Sequence, residues 1–485
     1  MAAYTAARLG RAVMLLEKET ALGGTTGLSV GTICSSATVY QKTLGVVDGP
    51  DEHFEDMGKL AGPLAPRDNL PLRRILVDGV PETIQHLVDL GIDFAGPFPE
   101  PPHRVPRLHA IVPHSRGYIY HLAKACRRLG VDIRLGAAAR RLIVEDGLVN
   151  GVEAGPEGAG AQTIRARKAV ILATGDFSAA DRPFKEKFMA GPLLEITGIN
   201  RASTGDGQRM GEEVGSEVMN GDLAWGPELR FLAPPKSTLI AKLPPWRAIS
   251  KAITVAMRTM PPSVLRPLLM AYVTTFLAPS HQLFRQGAIL ANLDGKRFCD
   301  ELDRPQDKLA YERRQSAFIV FDSKVAAKFN EWPNFISTAP GVGYAYLADY
   351  KKFRKDIFFE ADSWTSLAEK ISVPAATLNQ AIAEYNHKAA MQGRPPLVDA
   401  PFFALGPARA WIVFTEGGLR VDSRLRVLDK NNQPIGGLYA AGSAGQGGLL
   451  LEGHGHHLAW AFTSGRLAGR NASFDAAGGS KTGAD

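Results

Sequence analysis

Hydrophobic and polar positions recur along the chain with two different periods, which together predict alternating helices and strands. Residues Ala2–Gly10 have the spacing of the second half of a helix, and Arg11–Glu17 reads as a buried strand that ends in an acid. The segment Gly23–Gly27 is predicted to be a flexible polar loop. A helix-to-strand step of this kind is typical of an α/β sheet.

Later segments continue the alternation. Helices are expected at Pro81–Leu90, Tyr118–Leu129, Leu378–Gln392 and His456–Arg470. Short strands are expected at Val131–Leu135, Arg141–Glu145, Val149–Glu153 and Ala169–Gly175.

Between Asp222 and about Phe403 the pattern changes: prolines become frequent and amphipathic helical patterns replace strand alternation. The strand-and-glycine pattern returns from Trp411. We therefore expect a main α/β domain formed by residues 1–221 and 404–472, an inserted α+β capping or substrate domain at 222–403, and a flexible tail at 473–485.

Composition places the chain among ordinary globular proteins, with 485 residues, 45% hydrophobic and 22% charged. Cys34, Cys126 and Cys299 are far apart and form no CxxC, so neither a disulfide framework nor a haem or zinc motif is expected. No apolar run reaches the roughly 18 residues of a membrane span. These features predict a cytoplasmic protein.

The net charge of +7 has a local origin. No acidic residue lies between Leu229 and Leu293, whereas eight basic residues do. They are Arg230, Lys236, Lys242, Arg247, Lys251, Arg258, Arg266 and Arg285. Because no stacking motif or nucleic-acid-binding signature accompanies them, no nucleic-acid partner is expected.

The basic residues are mixed with apolar ones from Phe231 to Phe284, as in helices that lie among lipid headgroups. One prediction is peripheral contact of residues 231–284 with the inner face of a membrane. The alternative is that these helices only cap the active site, with their basic residues in solvent.

A set of acidic and glycine-rich turns points to a nucleotide. Glu17, at a strand end, is placed to accept hydrogen bonds from an adenosine ribose, although an acid is common at such edges. Glycines allow the backbone N–H groups to approach a pyrophosphate, because no Cβ obstructs it. The turns concerned are Gly23-Gly24-Thr25-Thr26, Ala173-Thr174-Gly175, Thr204-Gly205-Asp206-Gly207 and Tyr439-Ala-Ala-Gly442.

Seven strings in order resemble the flavoprotein superfamily of fumarate reductases and succinate dehydrogenases, which includes 3-ketosteroid dehydrogenases. They are RAVMLLEKETALGGTT, KAVILATGDF, TGDGQRMGEEVG, DGKRFCDE, ADSWTSLAEKISVPAATLNQAIAEYN, GGLRVD and GLYAAGSAGQGG. The resemblance implies a Rossmann-like FAD-binding domain, and the family's first strand and GxGxxG turn are expected to be missing ahead of residue 1. It also implies FAD as the cofactor.

The resemblance further implies which residues bind FAD. They are Glu17, Lys18, Gly23, Gly24, Thr25, Thr26, Gly31, Ala139, Ala173, Thr174, Gly175, Asp206, Gly442, Ser443, His457 and Leu458. The N–H groups of His457 and Leu458, at a helix N-terminus, would face the flavin pyrimidine edge and stabilise the negative charge of the reduced flavin. Gly31–Ser36 contains no His, so FAD is expected to be non-covalent.

Fumarate reductases of the superfamily hold a dicarboxylate with a His and an Arg, but Glu416 and Glu452 stand near those positions here. A carboxylate repels a dianion, so succinate or fumarate is not expected as the substrate. An apolar substrate is expected instead, and a steroid is only an analogy taken from the resemblance. The tyrosine that steroid dehydrogenases carry before the final helix has no counterpart here. The candidate catalytic residues are Glu452, His454, His456 and Arg304, and a solvated surface position is the alternative for Arg304.

No metal is expected, because no further Cys or acidic cluster accompanies these histidines in sequence. The leading hypothesis is an FAD oxidoreductase that acts on a C–C bond beside a carbonyl or similar group, with an unidentified electron donor or acceptor. Two alternatives stay open: an FAD-poor or cofactor-free binding protein on this scaffold, and a reductase of an unsaturated acid.

Overall fold

The computed structural model describes residues 1–156, 160–236, 238–275, 278–339, 343–389, 391 and 393–475, which form a mixed α/β fold. Its helices are α1 (Ala2–Arg8), α2 (Gly24–Leu28), α3 (Val39–Thr43), α4 (Pro50–Ala61), α5 (Leu70–Asp89), α6 (Arg116–Arg128), α7 (Arg182–Lys185), α8 (Pro192–Glu195), α9 (Asp206–Glu213), α10 (Leu239–Lys242), α11 (Arg247–Thr259), α12 (Pro262–Val273), α13 (Gln282–Arg285), α14 (Pro305–Lys308), α15 (Ser323–Lys328), α16 (Leu347–Phe353), α17 (Trp364–Lys370), α18 (Ala375–Ala389) and α19 (His456–Phe474).

The strands are β1 (Met14–Leu16), β2 (Thr32–Cys34), β3 (Asp93–Phe98), β4 (Leu108–Val112), β5 (Asp132–Arg134), β6 (Ala138–Glu145), β7 (Leu148–Gly155), β8 (Gln162–Arg165), β9 (Val170–Leu172), β10 (Val218–Met219), β11 (Ala224–Trp225), β12 (Glu228–Phe231), β13 (Ile289–Asn292), β14 (Ser316–Phe321), β15 (Ser337–Ala339), β16 (Gly343–Ala345), β17 (Phe358–Ala361), β18 (Phe402–Trp411), β19 (Phe414–Thr415), β20 (Gly418–Leu419), β21 (Arg426–Leu428) and β22 (Pro434–Ala440). Short 3-10 turns lie at Gly62–Arg67, Leu309–Tyr311, Arg313–Gln315 and Gly442–Gly445.

Two sheets organise the first and last parts of the chain. β1 pairs with β5 in parallel, with Met14 opposite Asp132. In the second sheet β22 pairs in parallel with β7 and β9, and β6, β7 and β8 form antiparallel pairs. Helix α19 packs against α1 and α5, so the two ends of the described chain share one hydrophobic core.

A separate antiparallel sheet, in the order β12-β18-β14-β13 with β17 beside β18, organises the region that sequence analysis assigned to an inserted domain. Its apolar side chains form a second large core. Since β18 pairs with β12, β14 and β17 along its length, we place the end of this region after Trp411 rather than at 403.

The predicted elements agree with the structure for α1, α6, β5, β6 and β7, but four differ. The predicted loop Gly23–Gly27 contains the short helix α2, closed by a bond of 3.0 Å from the Gly27 N–H to the Gly23 carbonyl. The first predicted strand is shorter than expected and half-exposed.

The helix predicted at Pro81–Leu90 is the second half of α5, which begins after Asn69 and continues through Pro81. Its Gly79 lies against Thr463 of α19, so packing between the helices outweighs the local breakers. Helix α19 runs to Phe474, into the predicted tail, and residues 476–485 lie outside the described part of the chain. None of the described helices is long and apolar enough to cross a membrane.

Candidate flavin-binding and active site

Three segments that are far apart in sequence meet at the carboxyl end of β1. The Glu17 N–H donates to the Arg134 carbonyl at 2.9 Å, which fixes the end of this strand next to β5. The ammonium group of Lys18 binds a carboxylate oxygen of Asp206 at 2.8 Å and also contacts Thr204. Lys18 and Asp206, both predicted to bind the cofactor, are therefore direct neighbours at the start of α9.

The other predicted cofactor turns are joined by side-chain hydrogen bonds. Asn200 donates to Thr25 Oγ1 at 2.9 Å and to Ser203 Oγ at 3.1 Å. The N–H of Gly207 donates to Thr174 Oγ1 at 3.1 Å. Together with Lys18, these contacts connect α2, the turn after β9 and the start of α9 in one polar surface.

Gly23, Gly24 and Gly175 have open space where a Cβ would lie, as a site for a diphosphate requires. Gly207 does not, since its Cβ would lie 2.2 Å from Thr174 Oγ1. A Cβ built on Gly23 or Gly24 would meet no atom within 4 Å, and one on Gly175 would meet only Ser203 Oγ, at 3.9 Å. Gly31 differs, since its Cβ would lie 2.5 Å from Ile111. Packing against β4 is thus sufficient to explain why Gly31 is a glycine.

The N-terminus of α19 offers free backbone donors. Gly455 precedes the helix with φ 85°, and no side chain caps the first turn. The first N–H groups of a helix have no partner within it and carry a partial positive charge. His457 and Leu458 lie in this first turn, as the predicted contact with the flavin pyrimidine edge requires.

Gly442 is held against the same helix. Its N–H donates to Ser464 Oγ at 2.9 Å, and its carbonyl accepts from Trp460 Nε1 at 3.1 Å. Ser443 follows it in a 3-10 turn, and Ala139 lies half-buried on β6. The free helix donors, the open glycines and the Lys18–Asp206 pair fit a dinucleotide such as FAD.

A buried carboxylate lies beside the first turn of α19. Glu416 accepts from Nε2 of His457 at 3.0 Å and from the side-chain amide of Gln446. The ring of His457 also packs on Phe414, with centroids 3.6 Å apart. Both carboxylate oxygens of Glu416 therefore have partners within the protein. Glu416 is thus not a free carboxylate that faces a substrate.

His454 is the most exposed of the three candidates near the start of α19, with 49% of its side chain accessible. Its Nδ1 binds a carboxylate oxygen of Glu100, and its ring lies edge-on to Trp225 at 5.8 Å. Burial alone would lower the pKa of His454, but the Glu100 carboxylate outweighs that effect and raises it. Partial burial, with Glu416 nearby, raises the pKa of Glu452.

The other two predicted catalytic residues are not placed with His454. His456 is fully buried: its Nδ1 donates to the Glu452 carbonyl at 2.7 Å, and its Nε2 lies 3.1 Å from Nε2 of His53. Arg304 is 66% exposed and pairs with Asp307 at 2.5 Å, which agrees with the surface alternative.

Sequence reasoning missed several residues of the site, namely Glu100, His53, His103, Asn200 and Gln446. Glu100 lies within the proline-rich stretch Pro99–Pro102, and His103 follows it directly. The cluster of prolines around a carboxylate and a histidine was the signal in the sequence that could have identified these two residues. The others lie in segments whose neighbours only the tertiary structure defines.

The FAD binding domain family model matches residues 1–242 and 251–450, so the chain belongs to this FAD-binding family. A probable fumarate reductase, Ifc3, of Shewanella frigidimarina is 25% identical and aligns with 97% of this chain and 72% of its own length. A 3-oxosteroid 1-dehydrogenase of Mycobacterium tuberculosis is 27% identical, over 74% of this chain and 62% of its own.

Among solved structures, the open conformation of a flavocytochrome c3 fumarate reductase shares the fold, with a TM-score of 0.72 at 24% identity; the match covers 97% of this chain and 75% of the other. The family model and these relatives show that this protein is an FAD-dependent oxidoreductase. The predicted family and cofactor are thereby confirmed.

Proposed function

We propose that this oxidoreductase transfers hydride at a carbon–carbon bond next to a carbonyl group of an apolar substrate. The observation that carries the proposal is the His454–Glu100 pair, half-exposed beside Trp225 and two residues before the α19 N-terminus. When bound, FAD supplies hydride transfer between its N5 and a substrate carbon. The cofactor would be held by Lys18, Asp206 and the turns that surround them.

The protein's own part in the reaction is proton transfer and positioning. Removing a hydride and a proton from adjacent carbons requires a base, and the reverse reaction requires an acid. His454 serves in this role because Glu100 binds its Nδ1 and so orients the ring, while about half of the side chain, 49%, stays accessible. The apolar ring of Trp225 lies next to His454.

The charge arrangement also supports an apolar substrate. The imidazole of His457, which would otherwise bind a carboxylate, is already engaged by Glu416. Glu452, half-buried one turn ahead of α19, adds a second carboxyl group near the same loop. His454, the other imidazole of this loop, is paired with Glu100, so a dianionic substrate would meet carboxyl groups and two histidines that already have carboxylate partners.

The decisive variant is Glu100→Gln, which keeps the shape of the side chain and removes the charge that orients His454. We expect turnover to fall by roughly one to two orders of magnitude, because positioned acid–base groups contribute about 10²–10⁴-fold. Steady-state kinetics with a panel of cyclic enones and saturated ketones, with an artificial electron carrier, measures it. Flavin content should not change.

Glu186→Gln is the matched control, because Glu186 forms a surface pair with Arg182 away from this loop. Equal kinetics in wild type and Glu100→Gln would contradict the role of the pair. Reduction of fumarate by a reduced dye at an enzymatic rate, with no activity on any ketone or enone, would instead show an unsaturated-acid reductase.

We also propose that FAD is held without a covalent bond, since Gly31–Ser36 offers no histidine for attachment. Denaturing the yellow protein and passing it through an ultrafilter should release all of the flavin into the filtrate. Flavin absorbance that stays with the polypeptide after denaturation would show a covalent link.

A further inference from the structure

Four side chains with metal-binding atoms converge below the first turn of α19. Cys34 ends β2, His53 lies on α4, His103 lies between β3 and β4, and His456 is the first residue of α19. Cys34, His53 and His456 are completely buried, and His103 is 8% exposed. The ligand atoms of Cys34, His103 and His456 all lie within 4.8 Å of one another.

The separation of Cys34 from His53 matches the edge of a tetrahedral metal site, and the separation of His53 from His456 is slightly shorter than such an edge. With Zn–S near 2.3 Å and Zn–N near 2.0–2.1 Å, tetrahedral ligand atoms are separated by roughly 3.3–3.6 Å. Here Cys34 Sγ lies 3.5 Å from His53 Nε2 and 3.6 Å from His103 Nε2. The Nε2 atoms of His53 and His456 lie 3.1 Å apart.

The surrounding hydrogen bonds decide which nitrogens have a free lone pair. His456 donates its Nδ1 proton to the Glu452 carbonyl at 2.7 Å, so its Nε2 is unprotonated in the neutral ring. A bond of this kind orients metal-bound histidines in general. His53 Nδ1 has no partner among the described residues. The ring proton of His53 can therefore lie on Nδ1, which leaves the lone pair on Nε2 free for a metal ion.

His103 differs from these two. Its Nδ1 accepts from Arg107 at 2.9 Å, which places the ring proton on Nε2, directed at Cys34. Arg107 is itself fixed by Asp48 and Asp56 in buried ion pairs of 2.6 Å. His103 is therefore a hydrogen-bond donor to the sulfur and not a ligand in this arrangement.

We propose that Cys34, His53 and His456 bind a divalent transition metal ion of the zinc class, with His103 donating to the sulfur. Thiolate and imidazole ligands favour zinc over magnesium or calcium. On binding, the Cys34 thiol loses its proton to solvent and the thiolate forms the metal–sulfur bond. The ion ties β2 and α4 to the first residue of α19 and so fixes the helix end predicted to face the flavin.

The absence of a neighbouring cysteine or acid in sequence argued against a metal at these histidines. The fold supplies the missing neighbours, because it brings Cys34 and His53 next to His456. His53 and His456 are 403 positions apart in the sequence. The proposal does not depend on the substrate or on the direction of flavin chemistry.

The test uses the FAD-loaded full chain. Protein made in zinc-supplemented medium and freed of loosely bound metal should contain about one zinc ion per chain by elemental analysis. After chelation, Co²⁺ should produce d–d absorption at longer wavelengths than oxidised flavin and a thiolate-to-cobalt band in a difference spectrum. Wild type that holds neither zinc nor Co²⁺ would overturn the proposal.

Cys34→Ala should lose the thiolate band and most of the bound metal. Cys126→Ala is the matched control, since Cys126 is also a buried cysteine but lies on α6, outside the cluster, and it should keep both. If Cys34→Ala does not fold, the wild-type cobalt spectrum still decides, because a spectrum without thiolate character excludes Cys34 as a ligand. Retention of the thiolate band in a folded Cys34→Ala variant also overturns the assignment.

Discussion

At the scale of single residues, the partners and the burial of Glu416, Glu452 and His454 govern their chemistry. Glu416 is enclosed by His457 and Gln446, whereas Glu452 and His454 are more accessible. Two glutamates that look equivalent in sequence thus have different roles, because only one has both oxygens satisfied internally. The same principle applies to buried histidines far from the loop.

His109, on β4, is such a histidine. It contacts Thr38 Oγ1 through Nε2 at 2.8 Å, and burial lowers its pKa from 6.5 to about 4. Because the unfolded chain binds the proton more strongly between these values, stability is complete above pH 6.5 and falls as the pH drops towards 4. The expected loss is at most on the order of 3 kcal/mol.

The measurement is urea unfolding of wild type and His109→Gln at several pH values between 7 and 4. Gln keeps a polar atom near the position of Nε2 but does not titrate. Its stability should therefore depend less on pH, and parallel curves for the two proteins would show that His109 contributes nothing to acid sensitivity.

At the scale of elements, helix ends and short turns define the cofactor surface. Helix α2 is only five residues long, yet Gly24 within it has φ 55° and no atom near its missing Cβ. Helix α19 begins with a first turn that no side chain caps. Each feature depends on backbone geometry more than on side-chain identity.

Gly24→Ala should weaken FAD binding about tenfold or more, because the new Cβ projects into the open space expected to hold the pyrophosphate; a tenfold change corresponds to about 1.4 kcal/mol. The left-handed backbone also costs about 1–2 kcal/mol of stability. Fluorescence titration of deflavinated protein with FAD measures the affinity, and urea unfolding without flavin measures the stability.

Gly130→Ala is the control, because Gly130 also has a left-handed φ, 76°, and open space around it, but lies in the turn after α6. Both variants should lose similar stability, and only Gly24→Ala should lose flavin affinity. Equal flavin affinity in the two variants would remove Gly24 from the proposed cofactor site.

At the scale of the whole molecule, the eight basic residues of the acid-free stretch extend from β12 to α13, and four of them, Lys242, Arg247, Lys251 and Arg258, lie on α10 and α11. One side of α11 packs on the FAD-binding part, with Ser250 Oγ donating to the Val112 carbonyl at 2.9 Å and Thr254 to Asp93. Its other side is exposed, together with Trp246 and Val255. We propose that this side rests on an anionic membrane surface.

Co-sedimentation with anionic liposomes tests this proposal. Binding should be clear at low salt and weak at high salt, since each basic residue near the surface contributes about 1 kcal/mol and salt screens it. The triple variant Lys242, Arg247, Lys251→Glu should stay in the supernatant. A variant with Lys352, Lys355 and Lys388→Glu, exposed lysines of another region, carries the same change in charge and should still bind.

If wild type and the triple variant both remain in the supernatant at low salt, the exposed side of α11 has no membrane role. The helices then act only as a cover packed on β3 and β4. Equal binding by the two proteins would place the contact elsewhere on the surface.

The sequence by itself determined the elements whose signals are local. Strand β5 lies in Val131–Leu135, which alternates apolar and polar residues, α6 has an apolar stripe, and the glycine-rich turns at Gly23 and Gly442 mark the cofactor surface, so the pattern and the spacing predict them directly. The same turns indicate a diphosphate, because it requires close backbone approach, and the resemblance of seven strings implied the family and FAD.

Only the tertiary structure decided which polar residues face one another. The pairing of His454 with Glu100, the enclosure of Glu416 and the meeting of Cys34 with His456 join residues from separate elements, and no local period encodes them. Helix α5 likewise continues through Pro81 because α19 covers it. Burial and hydrogen-bond partners are properties of the packed chain, and they set both the charge state and the accessibility of each side chain.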